Sequence, residues 1–430
     1  MNNDEQSLNT NPQTQPQPTF PESDPMPDIP VLPAKEKKPV NTRLIALIVL
    51  AAALVICAVV AIVVLSGSSK PSSNNSNNSN SSQTTDVVDE TYDLSTLDSD
   101  LTITKAGTFE LTGTLSEHSV IVNADDAVTL YLNDATIEAT QMAAIANISP
   151  NALTIKLADG STNKLSDGGE SDYDGCIYST GALTIEGTGT LNISGNQVEG
   201  EGIATESNDM TINGGSINIY SVDDGLNAGG DGGVITINGG DIFIQAGGDG
   251  IDSNKSLVIN DGTVYVIGSS AGGDAAIDTE DGYTINGGTV LALGSDMLEK
   301  PSDSSKQNSL VISLDKTYEV RSKVAVLDSD GEDIISLTAG DAFRTIIFSS
   351  KDLSYGTYSL KIGDETVIET ITVMNTVTTY GNTDQKPGGD TPSDNPEDKP
   401  ADNPANNEQA LNDSGDTYGR IPLSEIPTAE

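Results

Sequence analysis

T-I-N-G-G-S-I-N-I-Y (211–220), T-I-N-G-G-D-I-F-I-Q (236–245), V-I-N-D-G-T-V-Y-V-I (258–267) and T-I-N-G-G-T-V-L-A-L (284–293) are four versions of one phrase. Each is a short strand, an Asn-Gly turn, and a second strand whose apolar residues alternate with polar ones. Ile212, Ile237, Ile259 and Ile285 follow one another at spacings of 25, 22 and 26 residues. Degenerate copies stand upstream at Leu132-Asn133-Asp134-Ala135 and Ile185-Glu186-Gly187-Thr188. A period near 25 with strands of about five residues and no intervening helix is that of one coil of a parallel β-helix. A leucine-rich repeat needs regularly spaced leucines and a propeller blade needs roughly 40 residues, and neither is present. The competing architecture is an antiparallel sandwich whose Asn-Gly hairpins share a register by coincidence. In a coiled stack the Asn is expected to tolerate left-handed corners and to hydrogen-bond its counterpart in the next coil. Pro150 is the only proline between Pro71 and Pro301, so nothing of that kind interrupts strand pairing.

The composition agrees with this architecture. The chain has 430 residues, of which 42 are Gly, only 4% are aromatic and none is Trp. The 64 acidic residues outnumber 20 Lys and Arg for a net charge of −44. Nucleic acid is excluded as a partner, because phosphate binding needs a basic stripe, whereas divalent cations suit such a surface. Two cysteines, Cys57 and Cys176, permit neither a disulfide framework nor a thiolate zinc site. A single histidine, His118, cannot build a His-centred metal site or relay.

A second ladder runs through the same register. A loop before each turn carries an apolar anchor: Ile177, Ile203, Leu226, Ile251 and Ile277. Two residues before the anchor stand Glu201, Asp224 and Asp249, and three before it Asp174, Asp223 and Asp274. One residue after it stand Asn227, Asp252 and Asp278. Equivalent positions of adjacent coils lie about 4.8 Å apart, so these columns stack carboxylates on one face. Like charges that close repel unless protonated or neutralised by a cation. Calcium, with six to eight oxygen ligands, fits Asp side chains and Gly-rich carbonyls. The spacing is not that of an EF-hand loop. The ladder reads either as a calcium site built from Glu201, Asp223, Asp224, Asn227, Asp249, Asp252, Asp274 and Asp278, or as a solvated acidic face.

The runs V-D-D-G-L-N-A (222–228) and G-D-G-I-D-S (248–253), with the repeated I-N-G-G turns, resemble the clostridial cell-surface carbohydrate-binding β-helix family, Gram-positive proteins similar in shape to pectate lyases. The resemblance covers about residues 86–375. It implies a right-handed parallel β-helix, bound calcium, and non-catalytic binding of an acidic plant polysaccharide such as polygalacturonate, or of cellulose.

Outside the repeats the texture changes. Residues 1–43 are rich in Pro, Gln and Asn and read as a disordered tail. Leu44 to Leu65 is an unbroken apolar run of 22 residues, about 33 Å as a helix and long enough to span a bilayer. Lys35, Lys37, Lys38 and Arg43 precede it, which places the N-terminus in the cytoplasm and the repeats outside the cell. A cleaved signal peptide is the other reading, but the run is long for one and no A-x-A-like site follows. Residues 66–85 form a Ser/Asn linker. The β-helix is expected over 86–300, a small β-sheet cap domain over 301–380, and a disordered acidic tail over 381–430. In the cap region, strands are expected at Val311–Leu314, Lys323–Leu327, Arg344–Phe348, Tyr358–Ile362 and Val367–Val373. The phrase F-S-S-K-D-L-S-Y-G-T-Y-S-L (348–360) resembles the segment that closes this family's β-helix.

Missing residues bear on catalysis. A lyase of this shape abstracts a proton with a base, commonly Arg, and no Arg occurs between Arg43 and Arg321. Lys255 is the one plausible substitute, though an exposed strand-edge lysine usually serves solubility. Asp223-Asp224 and Asp249/Asp252 offer carboxylate pairs for a glycosidase, without the histidine and basic motif of the β-helical pectin hydrolases. His118 reads as a surface residue. Tyr131, Tyr173, Tyr178, Tyr220, Tyr265 and Tyr283 could stack on sugars singly, but read more simply as strand tyrosines. The leading reading is a membrane-anchored, calcium-dependent polysaccharide-binding protein. A divergent calcium-dependent polysaccharide lyase and a structural spacer or adhesin are the alternatives.

Overall fold

A computed structural model describes residues 87–383, apart from 170, 199, 231 and 272. The segments 1–43, 44–65 and 66–85, and nearly all of 381–430, lie outside the described residues. Among the described residues no helix is long and apolar enough to cross a membrane, and the helix content is one short 3-10 turn, Leu94–Thr96.

The repeats wind into a β-solenoid of about seven turns. Three walls of parallel strands run its length. The first wall stacks eight strands, from Leu101–Ile103 through Glu201–Thr205, Leu226–Ala228 and Ile251–Ser253 to Ile277–Thr279. The second holds the three-residue strands that lead into the Asn-Gly turns, and the third holds the longer strands that follow them. The in-register isoleucines are the reason the stack closes. Ile185, Ile212, Ile237, Ile259 and Ile285 pair coil to coil, and all five are fully buried. Each fully buried side chain of this size contributes roughly 1.5–3 kcal/mol.

At the corner the work is divided between Asn and Gly. The Asn238 amide donates to Asn213 Oδ1 at 2.9 Å, Asn260 to Asn238 at 2.8 Å, and Asn286 to Asn260 at 2.9 Å. The left-handed backbone expected of Asn falls instead on the last glycine of each turn, at φ +97° for Gly215 and +100° for Gly240. Only glycine accepts that φ without strain while its neighbours stack this tightly. A Cβ on Gly240 would also stand 2.8 Å from Gly215 O. Gly240→Ala is therefore expected to cost about 1–3 kcal/mol and lower the melting temperature by several degrees. The neighbouring Gly239 has no such φ, and its nearest atom would be Asn213 O at 3.2 Å. Gly239→Ala should melt closer to wild type in the same calorimetric comparison, and equal losses from the two would refute the assignment.

One upstream copy of the repeat lies two residues away from where the sequence places it. Leu130, not Leu132, pairs with Ile155 and so with Ile185. Val128–Ala139 is a single long strand through this corner, with Asp134 at φ 55° where later coils have a glycine turn.

After the last coil, Phe343–Ser350 pairs antiparallel with Thr289–Gly294 and takes its free edge, Phe348 opposite Leu291. Ser309–Tyr318 pairs with the other side of Phe343–Ser350 and, in parallel, with Val377–Tyr380. A four-stranded antiparallel sheet follows in the order Asp333–Thr338, Lys323–Leu327, Gly356–Ile362, Glu365–Val373. Its side chains share a second core with the outward Leu291 and Leu293 of the last coil. Asp333–Thr338 and Val377–Tyr380 are two further strands, beyond the five expected from the sequence. Both are short, and exposed or half-exposed side chains dominate them.

Candidate functional site

The anchors of the second ladder stack as the sequence implies. Ile177, Ile203, Leu226, Ile251 and Ile277 are register partners from coil to coil along the first wall, and Val120 and Ile145 extend the column upstream. The residue before each anchor also faces inward. A Cβ on Gly225 would run into the buried side chain of Ile244, as one on Gly250 would meet Val266. Two consecutive inward residues break the period-2 alternation. The positions two before and one after the anchor therefore share the outer face. Asn227 demonstrates it by donating from Nδ2 to Asp224 Oδ2, three residues back, at 3.0 Å.

On that face the carboxylates are tied into the backbone of the next coil. Asp224 Oδ1 accepts from the Asp249 N–H at 2.7 Å, and Asp249 Oδ1 accepts from the Ala275 N–H. Asn227 Nδ2 also reaches across to Glu201 Oε1 at 3.2 Å. Glu201 and Asp224 are each only 9% exposed. Glu201 Oε2 is buried and has no hydrogen-bond partner, the kind of orphaned oxygen that native interiors rarely leave.

Burial and like charge govern the protonation here. Burial, then the negative charges of Asp174 and Asp224, push the Glu201 carboxyl up to about 9. Asp224 is held up at about 8 by burial and by Asp223 and Asp252. Burial also raises Asp249 to about 9, against the Ala275 N–H that favours its charged form and with the repulsion of Asp224, Asp252 and Asp278. Two causes thus act together: desolvation of an anion, and neighbours of its own sign. A cation at this face would remove both.

Glu201, Asp223, Asp224, Asn227, Asp249, Asp252 and Asp278 are brought into one interacting strip. Asp274 is not among the charges that act on Asp249. Its carboxylate is bonded by Ser269, and its carbonyl accepts from Ser295 Oγ at 2.6 Å. Asp174 belongs to the strip through its action on Glu201. Among the described residues no three His, Cys, Asp or Glu side chains already converge as a cation cage. The donor set nonetheless fits calcium, since it is all oxygen, contains an orphaned buried carboxylate oxygen, and includes an amide whose Oδ1 could replace its Nδ2 by a flip.

The remaining candidates fall elsewhere. Lys255 is exposed in the turn beyond Ile251–Ser253, and His118 pairs with Asp100 at 3.5 Å. Tyr283 is buried, its hydroxyl donating to Glu299 O at 3.0 Å. Tyr173 and Tyr178 pack together at 5.2 Å in a small apolar cluster on the outer face of the first wall. Tyr220 lies against Phe243. These are packing roles.

Comparison with known proteins identifies a family. A family model described as "Carbohydrate-binding domain-containing protein" matches residues 97–360. A protein of the same description from Acetivibrio thermocellus is 32% identical over 136 residues, 29% of this chain and 46% of the relative. The chain thus spans about half the length of the curated relative it matches. A solved structure of a polysaccharide lyase-like protein from C. thermocellum, a gadolinium derivative, is 25% identical with a TM-score of 0.33, over 45% of this chain and 85% of the other.

Proposed function

The chain belongs to the family of carbohydrate-binding domain-containing proteins, and from that premise we propose that it binds an acidic polysaccharide, polygalacturonate-like, through calcium held on the first wall, without catalysing its breakdown. The observation that carries this reading is the buried Glu201 carboxyl, crowded by the carboxylates of Asp174 and Asp224 and reached by Asn227. Glu201, Asp224 and Asn227 would hold one ion, and Asp249, Asp252 and Asp278 extend the same strip. Calcium supplies positive charge to a face that otherwise repels a polyuronate. The chain's own part is to fix the oxygens in register. The Asp249 and Ala275 N–H groups aim two of the carboxylates, and Asn227 ties two coils together.

A lyase would need a base beside this strip. The sequence supplies no Arg or His between residues 201 and 300, and only Lys255 and Lys300 are basic there. With Lys255 exposed in a turn, the reading we propose is binding without cleavage.

The proposed organisation keeps a cytoplasmic tail at 1–43, a transmembrane helix at 44–65, a linker at 66–85, a right-handed β-helix at 86–300, a cap at 301–380 and an acidic tail at 381–430. The winding follows the preference of parallel crossovers, and a cap suits a last coil whose edge would otherwise recruit other strands. The protein then sits in the cell membrane as a single-pass protein with its repeats outside. Protease added to intact cells should digest the repeats and spare the N-terminal segment. Repeats that stay protected until the cells are lysed would reverse this topology.

A further inference from the structure

The Asn-Gly corner of the solenoid carries one tetrapeptide three times. Ile-Asn-Gly-Gly stands at 212–215, 237–240 and 285–288, and these copies hold the chain's three Asn-Gly pairs. An asparagine before a glycine can react with its own backbone, because no Cβ shields the glycine nitrogen from the side-chain Cγ and the two groups are already tethered. The local sequence is identical in the three copies, so only their surroundings set them apart.

The amide ladder sets them apart because it has a direction. Asn286 Nδ2 donates to Asn260 Oδ1, Asn260 Nδ2 to Asn238 Oδ1, and Asn238 Nδ2 to Asn213 Oδ1. The run of donors stops at Asn213. Register puts Glu186 beside it in the preceding coil, and that carboxylate is paired with Lys156 at 3.6 Å. Asn213 Nδ2 donates to no described residue, and the side chain is exposed. Gly214 lies between the strands Met210–Ile212 and Ser216–Ser221. The N–H groups of Asn213 and Ser216 bond Ile185 O and Gly189 O at 2.8 and 3.0 Å, while that of Gly214 bonds no backbone carbonyl among the described residues.

Both ends of the side-chain amide matter to the reaction. As the Gly214 nitrogen adds to Cγ, negative charge gathers on Asn213 Oδ1, where the Asn238 amide already donates at 2.9 Å. A donor aimed at developing charge lowers the barrier. The leaving group is Nδ2, which here has no bond to break. Asn286 has the opposite arrangement, with its Nδ2 held by Asn260 and its Oδ1 at the end of the ladder. At Asn238 both atoms are held. Asn260 precedes Asp261 rather than glycine. We propose that Asn213 is a self-modification site, where the folded chain converts an amide to a carboxylate through a cyclic imide. A C–N bond forms from Gly214 to Cγ as the bond to Nδ2 breaks, and ammonia leaves with the hydrogen of the Gly214 N–H. Water then opens the imide. Opening at the main-chain carbonyl leaves an isoaspartyl link, one methylene longer, beside Ile212 and its register partners Ile185 and Ile237. Either opening sets a new negative charge next to Glu186.

The test ages the full chain in detergent at pH 8 and follows each Ile-Asn-Gly-Gly peptide by mass spectrometry. In the folded protein Asn213 loses its amide about fivefold faster, or more, than Asn238 or Asn286. In denaturant the three identical tetrapeptides react at one rate. Asn213→Ala moves the free end of the ladder to Asn238 and raises the Asn238 rate about fivefold, whereas Asn286→Ala leaves the Asn213 rate unchanged. Melting curves check that both variants are folded. The inference is overturned if folded wild type spares Asn213, if it modifies the three at equal rates, if Asn238 or Asn286 leads, or if Asn238 is no faster in folded Asn213→Ala.

Discussion

Raising the pH of the metal-free protein from about 4 to about 9 lowers its melting temperature, and calcium reverses the loss. The sign follows from Glu201, Asp224 and Asp249, whose folded values of about 9, 8 and 9 lie above ordinary carboxyl values of about 4. Between those limits the folded state holds more protons than the unfolded one, so stability falls as pH rises. The contribution of these groups is complete below about pH 4 and is lost as the pH climbs through 8 to 9. In the proposed function calcium would bind the ionised carboxylates of the folded strip. At one hundred times its dissociation constant it adds about 2.7 kcal/mol, or about 5–10 °C.

One substitution separates this account from a solvated acidic face. In Asp249→Asn the amide Oδ1 can still accept from the Ala275 N–H, while the side chain no longer has to take up a proton when the chain folds at pH 8. The variant should therefore melt above wild type at pH 8 in chelator and gain less than wild type from calcium. Scanning calorimetry of the two proteins, with and without calcium, decides it. A wild-type curve indifferent to millimolar chelator, or a variant less stable than wild type without metal, would leave only the solvated face.

The repeat was legible because its signals are local and rigid. Asp241–Gln245 and Thr263–Ile267 form with the bounds read from the alternation after each Asn-Gly turn. The anchor column from Ile177 to Ile277 holds in register. Where the signal weakened, the register slipped. Leu132-Asn133-Asp134 imitates the turn phrase, yet the strand passes straight through and moves the true partner to Leu130.

The columns of the candidate strip were legible as spacing, but their contacts were not. Gly225-Leu226 and Gly250-Ile251 face inward in succession, and no alternation rule anticipates a doublet. That doublet brings Asn227 onto Asp224. Hydrogen bonds from the next coil's N–H to one coil's carboxylate are equally silent in sequence, since they depend on the rise between coils. Asp274 sits in the same column as Asp223 but is bonded by Ser269, a partner supplied by a loop without a repeat.

Polygalacturonate should bind in calcium and be released when the ion is chelated. Residues 201–300 contain 16 Asp and Glu against Lys255 and Lys300. Without a cation, a polyuronate approaching the first wall meets charge of its own sign with no basic partner. With the ion in place, Asp224, Asp249 or Asp252 supply some of its oxygens and sugar carboxylates complete the shell, which requires ligand positions the protein leaves open. Loss of a desolvated charge contact of this kind costs about 2–5 kcal/mol, so chelation should weaken binding roughly thirtyfold to several thousandfold. Asp249→Asn and Asp252→Asn remove one charge each and should weaken it by about tenfold. Methyl-esterified pectin, with its carboxylates masked, should not bind at this wall. Equilibrium titration of the wild type and these variants, with their folding checked by circular dichroism, separates the contributions. Undiminished polygalacturonate binding by folded protein in chelator would show that calcium does not join the wall to its ligand.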